Sequence, residues 1–197
     1  MASRVKIKQI TSGNELVGRV LAADGNSGLT FIDMSAGVDK GTSFPGSPSG
    51  GTLYYRTDVD ILFQYDGSRS KWLSVDTHTL TCGRSAITAA GTTYMRVGDA
   101  TQSSLSGFRM IRNGTIIGAS IENNNTLTFA RNVEIRVNNS AVNKVTLTIL
   151  TGTTGVVANN FNLDFSVNNL LQVVAIAAST GAALDNTIVV VDIAYRI

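Results

Sequence analysis

The residue types best suited to chemistry gather around the single histidine, His78. Ser74, Asp76, Cys82 and Ser85 lie close to it in sequence, which supplies the parts of a nucleophile, base and orienting carboxylate. No G-x-S-x-G elbow presents a serine, so His78 reads as a solvated side chain at a junction. One histidine and one cysteine cannot complete a zinc site. Asp58 and Asp60 stand two apart in a turn and could offer oxygens to a cation. That turn lacks the further ligands and fixed glycine of a calcium loop. Arg56 is therefore expected to pin it by reaching Asp58 or Asp66. The glycine-rich stretches Gly25–Gly28 and Gly46–Gly51 carry no G-K-[ST] and open no helix, which removes phosphate cradling. Sugar hydrolysis needs paired carboxylates in a groove, whereas Asp99, Glu122, Glu134, Asp164, Asp185 and Asp192 are scattered. The sequence thus predicts no catalytic residue, metal or cofactor.

One aromatic group could still bind. Tyr54, Tyr55, Phe63, Tyr65 and Trp72 suit a platform that stacks sugars or bases. The same residues suit the miniature core of a small β-meander, and Leu53, Tyr55, Phe63, Tyr65 and Trp72 are assigned to that core. The meander consists of Thr52–Arg56, Ile61–Tyr65 and Lys71–Val75, with Asp66-Gly67 as a turn signal. Before it, residues 41–51 (GTSFPGSPSGG) have linker composition and hold both prolines of the chain. Arg56-Thr57-Asp58 and the aromatic group are positioned by this meander. Its small size means that it must pack on a neighbouring chain or on the rest of the molecule.

Residues 1–43 contain brief strand-like pieces at Val5–Ile10, Leu16–Leu21 and Leu29–Met34. They hold too few large apolar side chains to offset their ordering entropy alone. This arm is expected to order against copies of itself or a docking surface, through Arg4, Lys6, Lys8, Ile10, Leu16, Arg19 and Leu21. Met1–Gln9 alternates polar and apolar residues, so no signal peptide is expected. From residue 78 onward the pattern is one of repeated strands. They are Leu80–Arg84, Thr93–Val97, Gly107–Ile111, Thr115–Glu122, Thr126–Ala130, Val133–Val137, Lys144–Leu150, Asn162–Val167, Leu170–Ala177 and Thr187–Arg196. In Val133–Val137, Glu134 and Arg136 oppose the apolar set. Ile188–Val191 is apolar on both faces and is expected to be central and doubly covered. The fold class is all-β: arm 1–43, linker and meander 44–77, and an antiparallel sandwich head 78–197.

Charged residues make up 15% of the 197-residue chain, well below an ordinary soluble domain. Either neutral turns and outer strand faces account for this, or much of the surface meets identical neighbours. Residues 1–75 and 76–197 each hold eight Lys/Arg and seven Asp/Glu, so no basic patch points to nucleic acid. No apolar run is long enough to span a bilayer as a helix. Cys82 is expected to be a buried hydrophobe in a protein assembled in a reducing cytoplasm.

Three segments resemble modules of bacteriophage virion proteins. Gln9–Phe31, with Gly18-Arg19-Val20-Leu21-Ala22-Ala23-Asp24-Gly25, resembles the N-terminal segment of phage fibre proteins. Phe44–Val75 resembles their hairpin module at Pro45, Pro48, Gly51, Leu53, Tyr55, Arg56, Thr57, Asp58, Leu62, Phe63, Tyr65, Asp66, Gly67 and Trp72. The C-terminal half, with Gly107–Ile116, Glu134–Asn138 and Ile193–Arg196, resembles trimeric jelly-roll heads of TNF/C1q-like outline. The resemblance implies a homotrimeric capsid decoration or short head-fibre protein on the virion surface. It would dock by its arm on the major capsid protein or another virion protein. A tail-fibre protein that recognises a host surface glycan or protein is the alternative. Its loops would then be Gly98–Ser106, Asn138–Asn143, Thr151–Asn160 and Ser179–Asn186. No long shaft separates arm from head, which favours a compact knob near its attachment point.

Overall fold

The computed structural model describes residues 19–23, 29–33, 38–87, 91–177 and 184–197. Every regular element among them is a β-strand, so the all-β expectation holds. Among these residues no helix is long and apolar enough to cross a membrane. Arg4, Lys6, Lys8, Ile10 and Leu16 lie outside the described residues, as does the strand expected at Val5–Ile10.

The first two strands, β1 (Arg19–Ala23) and β2 (Leu29–Asp33), form an antiparallel sheet of their own. Register sets Arg19 opposite Asp33, Val20 opposite Ile32 and Leu21 opposite Phe31.

A second sheet has the order β3 (Asp39–Gly41), β4 (Leu53–Arg56), β5 (Ile61–Asp66), β6 (Lys71–Ser74). The last three are the expected meander. β3 is an addition, parallel to β4, drawn from the stretch expected to be arm and linker. Residues 42–52 are correspondingly not a free linker. The Thr57 amide donates to the Gly41 carbonyl, and the Gly51 and Tyr65 amides donate to the Tyr65 and Thr52 carbonyls. Phe44 folds back from this strap to stack on Trp72, with centroids 4.7 Å apart and planes within 3°. It also meets Phe63 edge-on at 5.2 Å. Tyr54, Phe63 and Trp72 share that face, and Phe63 is fully enclosed. Leu53 and Tyr55, expected in this core, alternate to the opposite face. Leu53 is 36% exposed, and the Tyr55 hydroxyl bonds Asp60 across the turn.

The remainder is a two-sheet sandwich in which every pairing is antiparallel. The larger sheet runs β10 (Ala100–Thr101), β9 (Arg96–Val97), β7 (Thr77–Ile87), β18 (Leu184–Tyr195), β12 (Gly114–Glu122), β15 (Gly155–Ala158). β16 (Leu163–Phe165) also pairs with β12. The smaller sheet runs β11 (Phe108–Arg109), β17 (Leu170–Ala177), β13 (Arg131–Val137), β14 (Lys144–Ile149), with β8 (Gly91–Tyr94) also on β17. Ile116, Ile121, Ile135, Leu147, Val173, Val189 and Ile193 face one another across the two sheets in one apolar core. Burial of this kind contributes roughly 1.5–3 kcal/mol per large aliphatic side chain.

Two expectations change. Thr126–Ala130 forms no strand; Leu127 alone turns inward, and its backbone bonds the Gly152–Thr153 turn instead. β18 is central, yet its outer face is covered only at the Ala194 end and is open around Ile188. Val189 and Val191 are enclosed while Ile188 is 54% exposed. Glu134 lies on the outer face as alternation requires, but Arg136 and Lys144 close over it. Burial alone would raise the Glu134 carboxyl pKa. The bonds from the two cations outweigh that and hold it below the usual range. Cys82 is buried as expected, which pushes its thiol up to about 12.

Candidate interaction surfaces

The chain passes from β6 to β7 through Val75 and Asp76 alone, so the meander lies against the larger sheet beside it. A bulge in β12 between Ile116 and Gly118 releases the Ile117 carbonyl from the ladder. Arg69, in the β5–β6 turn, fills that gap. Its guanidinium donates to the carbonyls of Phe161 (2.6 Å), Asn159 (2.8 Å) and Ile117 (3.0 Å). Asp66 orients it from behind by accepting from the Arg69 side chain and backbone. Burial acts to raise the Asp66 pKa, but the Arg69 bonds prevail and lower it.

Beside this anchor, Asp164 receives Lys71 from the meander, the Thr115 hydroxyl and Arg196. Burial again pushes its carboxyl up, and these partners hold it below the usual range. The Ser74 hydroxyl donates to the Asp76 carbonyl and accepts the Tyr195 amide, tying β6 to the end of β18. One half of the larger sheet's outer face is thus covered over β12 and β18, where Thr115 and Ala194 are buried, while Thr77 and Thr79 of β7 stay exposed beside the meander.

The other half is open. Register aligns Thr81, Val190, Ser120 and Val157 in a row across β7, β18, β12 and β15. The next row is Arg96, Gly83, Ile188, Glu122 and Gly155. Gly83 has no room for a side chain, since a Cβ there would sit 2.5 Å from the Thr187 carbonyl oxygen. A depression of about 410 Å³ therefore lies over it, between Arg96 and Ile188. Val157 is 76% exposed. Small hydroxyls and aliphatic groups dominate the centre, with opposite charges at its two sides.

A third surface is the cleft between the β4–β5 turn and the end of the sandwich. It has a volume near 370 Å³ and is lined by Val59, Ile61, Arg112, Val167, Tyr195 and Arg196. The Arg112 guanidinium sits 5.7 Å from the centre of the Tyr195 ring, against which His78 packs at 4.6 Å.

The chemical candidates from the sequence do not come together. His78 is exposed on β7 rather than in a linker, Ser74 is committed to backbone, and Cys82 faces the core. Asp58 forms a two-pronged pair with Arg56, and Asp60 meets Tyr55. Among the described residues no three of His, Cys, Asp and Glu converge as metal ligands. Of the docking candidates, Arg19 and Leu21 lie on β1. Of the expected loops, Gly98–Ser106 contains β10 and Thr151–Asn160 contains β15. Asn138–Asn143 folds on itself through Ser140 and is held by Gln172, and Ser179–Asn186 lies partly outside the described residues. Sequence reading missed Phe44 and Arg69. An aromatic inside a Gly/Ser/Pro stretch, and an arginine inside an Asp-Gly turn, were the available signals.

These features define an antiparallel two-sheet body with a smaller sheet bound to one of its faces. No family model matches the chain, and no curated protein matches it significantly. Among solved structures it is similar to PRD1 vertex protein P5, with 16% identity and a TM-score of 0.41. That alignment covers 78% of this chain and 86% of the other. A likeness of that strength carries no argument about function.

Proposed function

We propose that the protein is a structural component of a bacteriophage virion. It is a trimeric capsid decoration or short head-fibre protein that docks by residues 1–43 and displays a jelly-roll head at the virion surface. The observation that carries this reading is the division of the larger sheet's outer face. The covered half is closed by the chain's own meander, whereas the open half offers aliphatic and small neutral groups suited to an identical neighbour. Its flanking Arg96 and Glu122 suit a head-to-tail contact that closes around a threefold.

Three further features support it. Gln9–Phe31 and Phe44–Val75 resemble phage fibre modules. β1 and β2 form a separate two-stranded sheet, and such a sheet is marginal without a surface to pack on. The order β7-β18-β12-β15 facing β11-β17-β13-β14 suits a double-sheet jelly roll. On this reading the work is mechanical: bridging several shell subunits stabilises the assembled state by mass action. Removing residues 1–35 should abolish shell binding and leave a trimeric head, and a virion reconstruction should place the protein at symmetry-related shell positions. A protein that stays monomeric at micromolar concentration in light scattering would refute the trimer.

The cleft lined by Val59, Arg112 and Tyr195 favours a second reading, a tail protein that binds a host surface glycan or protein. Purified protein should then adsorb to host cells and compete with infection.

A further inference from the structure

Arg131 is the bulkiest fully buried side chain among the described residues, with 1% of its surface exposed. It opens β13, and alternation puts it on the face of Val133, Ile135 and Val137, inside the sandwich. Ile149 stands opposite it in register. None of its three guanidinium nitrogens has a hydrogen-bond partner among the described residues. Three carboxylates on the strands around it point elsewhere, of which Glu122 is exposed on the outer face of β12 opposite Ile188. Glu134 points to the other face and is held by Arg136 and Lys144. Asp185 alternates away from buried Leu184 and accepts from Asn125. The segments that follow β7 and β17, residues 88–90 and 178–183, contain no Asp or Glu.

An arginine cannot shed its proton, and an unpaired charge in apolar surroundings is strongly unfavourable. A water molecule could accept from the guanidinium but would leave its charge unbalanced. A small anion does both. We infer that Arg131 holds a monovalent inorganic anion of the chloride class within this end of the sandwich, among Ile149 and the neighbouring apolar side chains.

The full-length protein can be melted in sodium chloride and in sodium gluconate at one fixed sodium concentration, gluconate being too large to enter. Above half-saturation each tenfold increase in chloride should raise Tm by about 3–6 °C, with no such rise in gluconate. Arg131→Met keeps the bulk and removes the charge, so its Tm should not depend on chloride. Crystals soaked in bromide should show an anomalous peak within hydrogen-bond distance of the guanidinium. Equal responses to chloride and gluconate, or a chloride dependence that survives in Arg131→Met, would overturn the inference. If that variant does not fold, the bromide experiment decides: a peak at Arg131 supports the site, and its absence removes it.

Discussion

The two halves of one sheet face solve the same problem in opposite ways. Both run over β18 and β12, and the same strands carry the covered row through Ala194 and Thr115 and the open row through Val190 and Ser120. Where the meander lies, carbonyls and half-exposed carboxylates each have a donor: Arg69 serves three carbonyls, and Asp164 takes Lys71, Thr115 and Arg196. Where nothing in the chain lies, Val157 and Ile188 stay in the open, and the one carboxylate beside Val190, Asp192, takes the Thr79 hydroxyl. A cover made from the same chain can afford polar contacts, because its register is fixed by two connecting residues. A surface awaiting a separate partner is better served by groups that need no exact partner.

Removing the cover should have the largest effect. Phe63 is fully enclosed against Phe44, so Phe63→Ala should cost about 3–5 kcal/mol. Hydrogen exchange should then show the amides of β4–β6 losing protection while β13 and β17 keep theirs. Unchanged protection in the meander would mean that its aromatic face does not hold the cover in place.

Arg69→Ala should follow, at roughly 2–4 kcal/mol, because the carbonyls of Ile117, Asn159 and Phe161 lose a charged donor. Arg69→Lys should recover little, since an ammonium cannot serve three acceptors spread across a planar fork. Urea unfolding measures both variants, and equal stability of Arg69→Lys and the wild type would show that charge alone suffices.

Acid should weaken the covered half next. Asp66 and Asp164 have folded pKa values below the usual carboxylate range. The unfolded chain therefore binds more protons than the folded one, and stability rises with pH. The contribution is complete above the ordinary carboxylate pKa and is lost as pH falls through the lowered folded values. Asp164→Asn should flatten that acid limb in part, with Glu134, shifted in the same direction, supplying some of the remainder. An unaltered limb in Asp164→Asn would remove Asp164 from the account.

The smallest effect on folding should come from the open half. Ile188→Lys should change unfolding free energy by no more than about 0.5 kcal/mol, yet light scattering should report a shift from trimer to monomer. If assembly survives, the open half is not where copies meet.

Much of the fold was legible in residue patterns. Alternation in Lys144–Ile149 and the apolar run at Leu170–Ala177 read directly as strands, because side chains that alternate about a buried face leave a two-residue period. Other features were hidden for physical reasons. β3 is three residues long and pairs in parallel with β4 across a looping strap, so no local pattern announces it. Thr126–Ala130 has the composition of a strand but sits where loop-to-loop bonds to Gly152 and Thr153 win. Tyr54 and Tyr55 are adjacent and identical, so which one faces the aromatic core depends on the register with Phe63. Arg69 was invisible as an anchor because its acceptors lie some ninety positions further along the chain or on the β12 bulge.

The connection of two residues between β6 and β7, locked by Ser74 and Arg69, has a mechanical consequence. The meander cannot swing relative to the sandwich, so β3, paired on β4, is held at one place and in one direction. A pull or twist applied there is delivered to the whole head as a rotation rather than absorbed in a hinge. The meander behaves toward the sandwich as a rigid lever, with no hinge between the two sheets.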